Sequence, residues 1–166
     1  MSGKPAARVT DPVSHPLPPI LTGGSGSPNV LIGFMPAWRG VMAAAAAGLQ
    51  AAKKTSDAAI KTAESAALAA AGTPGAPAAK AAEESAKAAA ASAMGSAITS
   101  AAAGADIHMC ATPLPIPPHG PGVVIDGSQT VLINNLPACR QGDTLLEAVG
   151  PPNKITMGCM TVQIGG

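Results

Sequence analysis

A chain of 166 residues has room for one ordinary domain or for a small core with an appendage, and the composition favours the second. One Trp, one Phe and no Tyr leave no core of large rings, and a net charge of +1 with 11% charged residues argues against electrostatic binding of nucleic acid or an anionic membrane. Three cysteines, and an N-terminus without the apolar stretch of a signal peptide, fit a reducing compartment better than a disulfide framework; export, if it occurs, takes another route.

Taken in order, residues 3–33 read as a turn-rich β segment. Pro12, Pro16, Pro18 and Pro19 exclude helix, Gly23 to Pro28 is a turn, and Asn29 to Ile32 is a short strand. After Arg39 the chain changes character. Residues 41–71 are almost all good helix formers, with Val41, Leu49, Ile60 and Leu68 as scattered larger apolar groups. The stretch from Gly72 to Pro77 forms a turn, with Gly72 as C-cap, and a second helix runs from about Ala78 to Ala103. Two helices on a short loop predict an antiparallel hairpin. Its uncharged runs, 40–52 and 88–105, are shorter than or barely equal to the roughly 20 apolar residues of a membrane span. A close-packed alanine pair that leans on a partner or on the β segments is therefore preferred. From Asp106 the β pattern resumes, with Val123 to Ile125, Thr130 to Ile133 and Thr156 to Ile164 as strands. Residues 1–40 and 104–166 thus predict one discontinuous β domain, complete without the 41–103 insertion.

The β segments repeat one motif. Gly26 to Arg39 reads GSPNVLIGFMPAWR and Gly127 to Arg140 reads GSQTVLINNLPACR, while Gly158 to Gly166 reads GCMTVQIGG and breaks off where Gly3 to Arg8, GKPAAR, continues. The two ends of the chain are therefore two halves of one repeat. Aspartates trail it at Asp11 and Asp143, and Asp106 plays that part beyond the insertion. Strands this short must share a core. Three repeats around one axis would turn Val30, Ile32, Val131, Ile133, Val162 and Ile164 inward, every second residue lying on one strand face. The predicted fold is mainly β: a pseudo-threefold, tapered β-prism or cone of short-strand repeats with an inserted antiparallel α-helical hairpin.

Pro5-Ala6-Ala7-Arg8, echoed by Pro36-Ala37-Trp38-Arg39 and Pro137-Ala138-Cys139-Arg140, resembles the PAAR family, and the resemblance covers the chain outside the helical insert. It implies a conical cap on the trimeric valine-glycine-repeat (VgrG) spike of a bacterial type VI secretion system, one cap per trimer, with a structural zinc ion near the point. The broad base would pair strand edges with the spike. The family's site is three histidines and one cysteine, a tetrahedral zinc set. This implies His15, His108 and His119, with Cys159 or Cys110 as fourth ligand and one Zn²⁺ per chain. Cys159 is preferred on two grounds: His108 and Cys110 stand two apart in an extended chain whose alternate side chains face opposite sides, and Cys159 would tie both chain ends to the middle. Cys139, inside a PAAR-like tetrapeptide, reads as a small buried hydrophobe.

The function expected is a zinc-stabilised spike tip that sharpens the spike for envelope puncture, not an enzyme. The insert holds no His, no Cys and no Ser-His-Asp arrangement. Such a tip waits in the bacterial cytoplasm, is injected without a signal peptide and touches a membrane only transiently. A separate effector or chaperone could engage the insert. The alternative is a secreted zinc-dependent toxin or hydrolase, or a membrane-active effector carrier.

Overall fold

The computed structural model describes residues 3–14, 20–110 and 119–166. In chain order the elements are β1 (Lys4–Ala6), β2 (Leu31–Ile32), β3 (Met35–Pro36), α1 (Ala43–Ala69), α2 (Ala76–Ala102), β4 (His108–Cys110), β5 (Gly120–Val124), β6 (Leu132–Ile133), β7 (Leu136–Pro137), β8 (Thr144–Glu147), β9 (Asn153–Lys154) and β10 (Cys159–Ile164). The strands form small antiparallel sheets: β1–β10, β2–β3, β6–β7 and a four-stranded sheet in the order β4-β5-β8-β9. The mainly β expectation holds only in part. Two helices of 27 residues each hold more of the chain than strands of two to six residues, so the fold is mixed α and β, with its strands in several small antiparallel sheets. Repeats this short close two-residue hairpins, which never lengthen into continuous prism faces.

The repeat itself is plain in the pairing. Hairpins β2–β3 and β6–β7 share one register, Leu31 opposite Pro36 and Leu132 opposite Pro137. The third hairpin is assembled from the chain ends, with Gln163 of β10 opposite Pro5 of β1. The tight turns of the first two place Gly33, Phe34, Asn134 and Asn135 at φ between 53° and 67°, the left-handed geometry that suits a two-residue hairpin.

The three hairpins are joined by closed rings of main-chain hydrogen bonds. The amide of Ala7 donates to Cys139 O (2.9 Å), that of Cys139 to Trp38 O (3.0 Å) and that of Trp38 to Ala7 O (2.9 Å). One residue after each arginine a second ring runs: Val9 to Pro36 O (3.0 Å), Gly40 to Pro137 O (2.9 Å) and Gln141 to Pro5 O (2.8 Å). Ala7, Trp38 and Cys139 are fully buried, so the polar groups of the first ring find their partners in one another, which makes the arrangement cyclic. Around it, Ala6, Ala37 and Ala138 pack with Ile32, Ile133, Ile164 and Cys159 in one small core. The isoleucines face inward as predicted. The valines do so less: Val30 is half-buried, while Val131 and Val162 are exposed. A two-residue strand carries one inward position, and isoleucine holds it.

Each repeat opens on a glycine for a steric reason. A Cβ on Gly127 would stand 2.9 Å from Pro137 Cβ, and one on Gly158 would stand 2.7 Å from the carbonyl oxygens of both Pro5 and Ala6. The second clash is with backbone that holds a strand pair, so Gly158→Ala is expected to cost about 1–3 kcal/mol. Urea denaturation checks this, and an unchanged midpoint would contradict it.

Each arginine clasps the aspartate that follows it. The main-chain amides of Arg8, Arg39 and Arg140 donate to Asp11, Asp106 and Asp143 at 2.7, 2.8 and 2.8 Å, and each guanidinium returns to the same carboxylate. In two clasps the partners are three residues apart; in the middle one they are 67 apart. The helical hairpin therefore leaves and re-enters the repeat at a single clasp, and Asp106 takes the predicted role.

The helices start and stop close to their predicted ends. Gly72, at φ 78°, follows the α1 C-cap Ala70 by two residues. Pro77, read as part of the turn, lies inside the first turn of α2, where a missing N–H costs nothing. The roots of the hairpin are packed: Val41, Ala46, Leu49, Met94, Ile98 and Ala102 share a core with Val123, Ile125, Leu136, Leu146 and Ala148 of the β segments. Farther out an ion pair joins the helices, Lys87 of α2 bonding Glu64 of α1 at 2.8 Å, while Glu83 holds Lys87 from within α2 at 2.6 Å. Among the described residues, no helix is long and apolar enough to cross a membrane.

Candidate metal centre

The sheet β4-β5-β8-β9 builds a polar cluster at its heart. His108 on β4 pairs with Gly122 on β5, which pairs with Glu147 on β8. Because Gly122 has no side chain, the Glu147 side chain can lie across β5; a Cβ there would come within 2.7 Å of Glu147 Cγ. The Glu147 carboxylate is fully buried. Its Oε2 accepts from Asn153 Nδ2 at 2.6 Å and lies 2.9 Å from His119 Nδ1, while Oε1 is 3.5 Å from His108 Nε2. On the far side of the His108 ring, Nδ1 accepts from the Thr22 amide at 3.3 Å. Burial pushes the Glu147 carboxyl up from its ordinary range, against the pull of His119 and Asn153.

Cys110 completes a set with two of these residues. One ligand atom each from Cys110, His119 and Glu147 lies within 4.8 Å of the others, and all three side chains are buried or half-buried. A thiolate, an imidazole and a carboxylate are the donor types of zinc, so this cluster fits a metal ion.

Of the residues predicted as ligands, His108 and His119 are thus brought to one place, and Cys110 joins them. His15 lies outside the described residues. Cys159 is not part of this group. In a strand, residues two apart share a face, so His108 and Cys110 both point inward while Met109 between them is exposed, and alternation gives no reason to prefer Cys159. Cys159 occupies the position that Ser27 and Ser128 hold in the other repeats. Those hydroxyls accept the amides of Val30 and Val131, each at 3.0 Å. The Cys159 sulfur sits 3.3 Å from Thr161 Oγ1 in the matching turn. That hydroxyl, with the nearby amides and Arg8, draws the thiol down from its ordinary value.

Cys139 is wholly enclosed in the second core with Ala7, Trp38 and Leu145, and its burial pushes the thiol well up. Alkylation of the native protein at pH 8 is therefore expected to modify Cys159 well before Cys139, with Cys139 reacting only on unfolding. Equal rates by peptide mass mapping would contradict this.

Sequence reading missed Glu147. The signal was present as a lone acid in the apolar run Leu145-Leu146-Glu147-Ala148-Val149, where an unpaired charge would be too costly to bury.

Comparison with known proteins agrees with this architecture. The PAAR motif matches residues 115–166, which span β5 to β10 and include His119 and Glu147. No curated protein and no solved structure gives a match. The motif matched over residues 115–166, its tetrapeptide present in three hydrogen-bonded copies and its arginines clasped alike together support a PAAR-repeat protein.

Proposed function

We propose that this protein is the metal-stapled tip of a type VI secretion spike, seated one per VgrG trimer. The observation that carries the reading is the cyclic bonding of Ala7, Trp38 and Cys139, which gives a single chain three equivalent hairpins to set against a threefold partner. The surface suited to that contact is apolar: Leu31 and Leu132 occupy the same exposed position on two hairpins, and Phe34 at the turn of the first is 95% exposed. Two of the three repeats display leucine at this position and the third has Gln163, and apolar side chains repeated in register mark an interaction site better than scattered ones would. A tip of this kind is made in the cytoplasm and leaves with the spike.

Zn²⁺ fits the donors of Cys110, His119 and Glu147 and, when bound, would crosslink β4, β8 and the residue before β5. Its role in this reading is structural, not catalytic. The outer end of the helical hairpin, where Leu68 is exposed, is the part open to a separate effector. Co-purification with a trimeric VgrG spike is expected at one chain per trimer, with about one zinc per chain by elemental analysis. Replacing Leu31 and Leu132 by Asp should abolish the complex and leave the metal content unchanged. Absence of any spike complex with the wild-type chain would defeat the reading and favour the toxin or carrier alternative.

A further inference from the structure

One turn position recurs in all three repeats: Phe34, Asn135 and Gly166 each stand eight residues after the glycine that opens their copy. All three have left-handed backbone, at φ 67°, 63° and 100°. Asparagine and glycine bear that geometry easily; a bulky aromatic does not, because its Cβ crowds the backbone. Phe34 gains nothing in return within its own chain, since it is 95% exposed. It is also the only aromatic side chain that meets solvent, for the chain has one Phe, one Trp and no Tyr, and Trp38 is fully buried. The turns themselves are held alike, each against the neighbouring repeat. Asn134 accepts from Ser27 Oγ at 2.7 Å and Arg39 Nη1 at 3.4 Å, and Gly165 O accepts from Ser128 Oγ at 2.6 Å and Arg140 Nη1 at 3.2 Å. Gly33 lies against the corresponding pair, a Cβ there falling 3.1 Å from Arg8 Nη1 and 3.3 Å from Cys159 Sγ.

We infer that Phe34 is the anchor of the spike contact: its ring enters an apolar pocket on the threefold end of the spike, one of three identical pockets that a symmetric trimer presents. This rests on the spike-tip reading above and adds to it the side chain that carries most of the contact. Three observations converge. The ring is strained and uncovered in the free chain, a combination that has its physical reason in a partner and not in the fold. Its turn is fixed against Arg8 and Cys159, so the ring is presented from a rigid support and little order is lost on binding. Leu31, on the same hairpin, is 62% exposed, so the ring continues the apolar surface already assigned to the spike. With one Phe among three equivalent turns, the chain fills one pocket and can seat in any of three rotations.

The test measures binding of the full chain to immobilised VgrG trimer, with urea denaturation of the same preparations. Phe34→Asn gives the first turn the residue that the second already holds. It is expected to raise the urea midpoint, because the strain is relieved, and to weaken the complex at least about 30-fold, the loss of a hot-spot side chain. Moving the ring to the second turn, by Phe34→Asn with Asn135→Phe, should recover binding to within about fivefold of wild type. Leu132 stands beside that turn as Leu31 stands beside the first, and a one-third rotation brings the ring to the next pocket. Asn135→Leu replaces Asn135→Phe should the double variant not fold. A Phe34→Asn chain that binds as tightly as wild type would overturn the inference while leaving the spike reading intact. A double variant as weak as Phe34→Asn, or a midpoint that fails to rise in Phe34→Asn, would overturn it equally. A wild-type chain that forms no complex with the trimer would remove the spike reading itself.

Discussion

Asp106→Ala is expected to destabilise the protein by about 3–5 kcal/mol, the cost of leaving a buried charge without its partner. Asp106 is 3% exposed and accepts from the Arg39 amide at 2.8 Å, from Nε at 3.0 Å and from Nη2 at 3.0 Å. Removing it strands the Arg39 guanidinium, whose side chain is only 11% exposed. It also unties the one clasp that spans the helical insertion. The same change at Asp11 should cost less, because Arg8 is about twice as exposed as Arg39 and its charge can turn to water. Urea denaturation of the two variants checks the order. A loss below about 1 kcal/mol for Asp106→Ala would show that the clasp is a surface pair in effect.

The second large effect is expected at the root of the hairpin. Ile98 is fully buried among Val41, Leu49 and the apolar face of β5 and β8, so Ile98→Ala should cost about 2–5 kcal/mol. Leu68→Ala, at a position 77% exposed on the outer part of α1, should change stability by less than about 0.5 kcal/mol. The contrast has a consequence for deletion. Removing residues 43–102 uncovers Val123, Ile125, Leu136 and Leu146 together, and that variant is expected to aggregate. Shortening the hairpin beyond Lys53 and Met94 leaves this core covered and should give soluble protein. Equal solubility of the two would mean that the β segments are self-sufficient, as the sequence reading held.

Thermal unfolding with and without chelator gives a companion measurement. If Cys110, His119 and Glu147 hold an ion as proposed, its removal should lower the midpoint by several degrees. Cys110→Ser should reproduce most of that loss, and Cys159→Ser should reproduce little of it.

Several features could be read directly from residue order. The three copies of Pro-Ala-x-Arg, the glycine that opens each repeat and the aspartates that trail the first and last copies by three residues are visible in residue order. The helices were equally legible, since long runs of alanine with Gly72 and Pro77 between them allow little else. The joining of the two chain ends into one hairpin was visible because the broken motif at Gly166 is completed at Gly3.

What only the tertiary structure decided depends on which strands meet. Strands β4, β8 and β9 carry no pattern strong enough to be seen in isolation, being two to four residues long, so the four-stranded sheet was not predictable. Glu147 reaches His108 only because Gly122 separates them in that sheet, a pairing across 39 positions that no local signal encodes. Cys110 and Cys159 are alike as residues, and their neighbours separate them: one faces inward beside His108, and the other fills the place of a turn serine. The sequence by itself determined the repeat, its trailing aspartates and the helical hairpin, because each is written in the residue pattern. Sheet order and side-chain burial decided the mixed fold, the shared core at the hairpin root and the make-up of the candidate metal centre, because those arise from contacts between segments far apart in the chain.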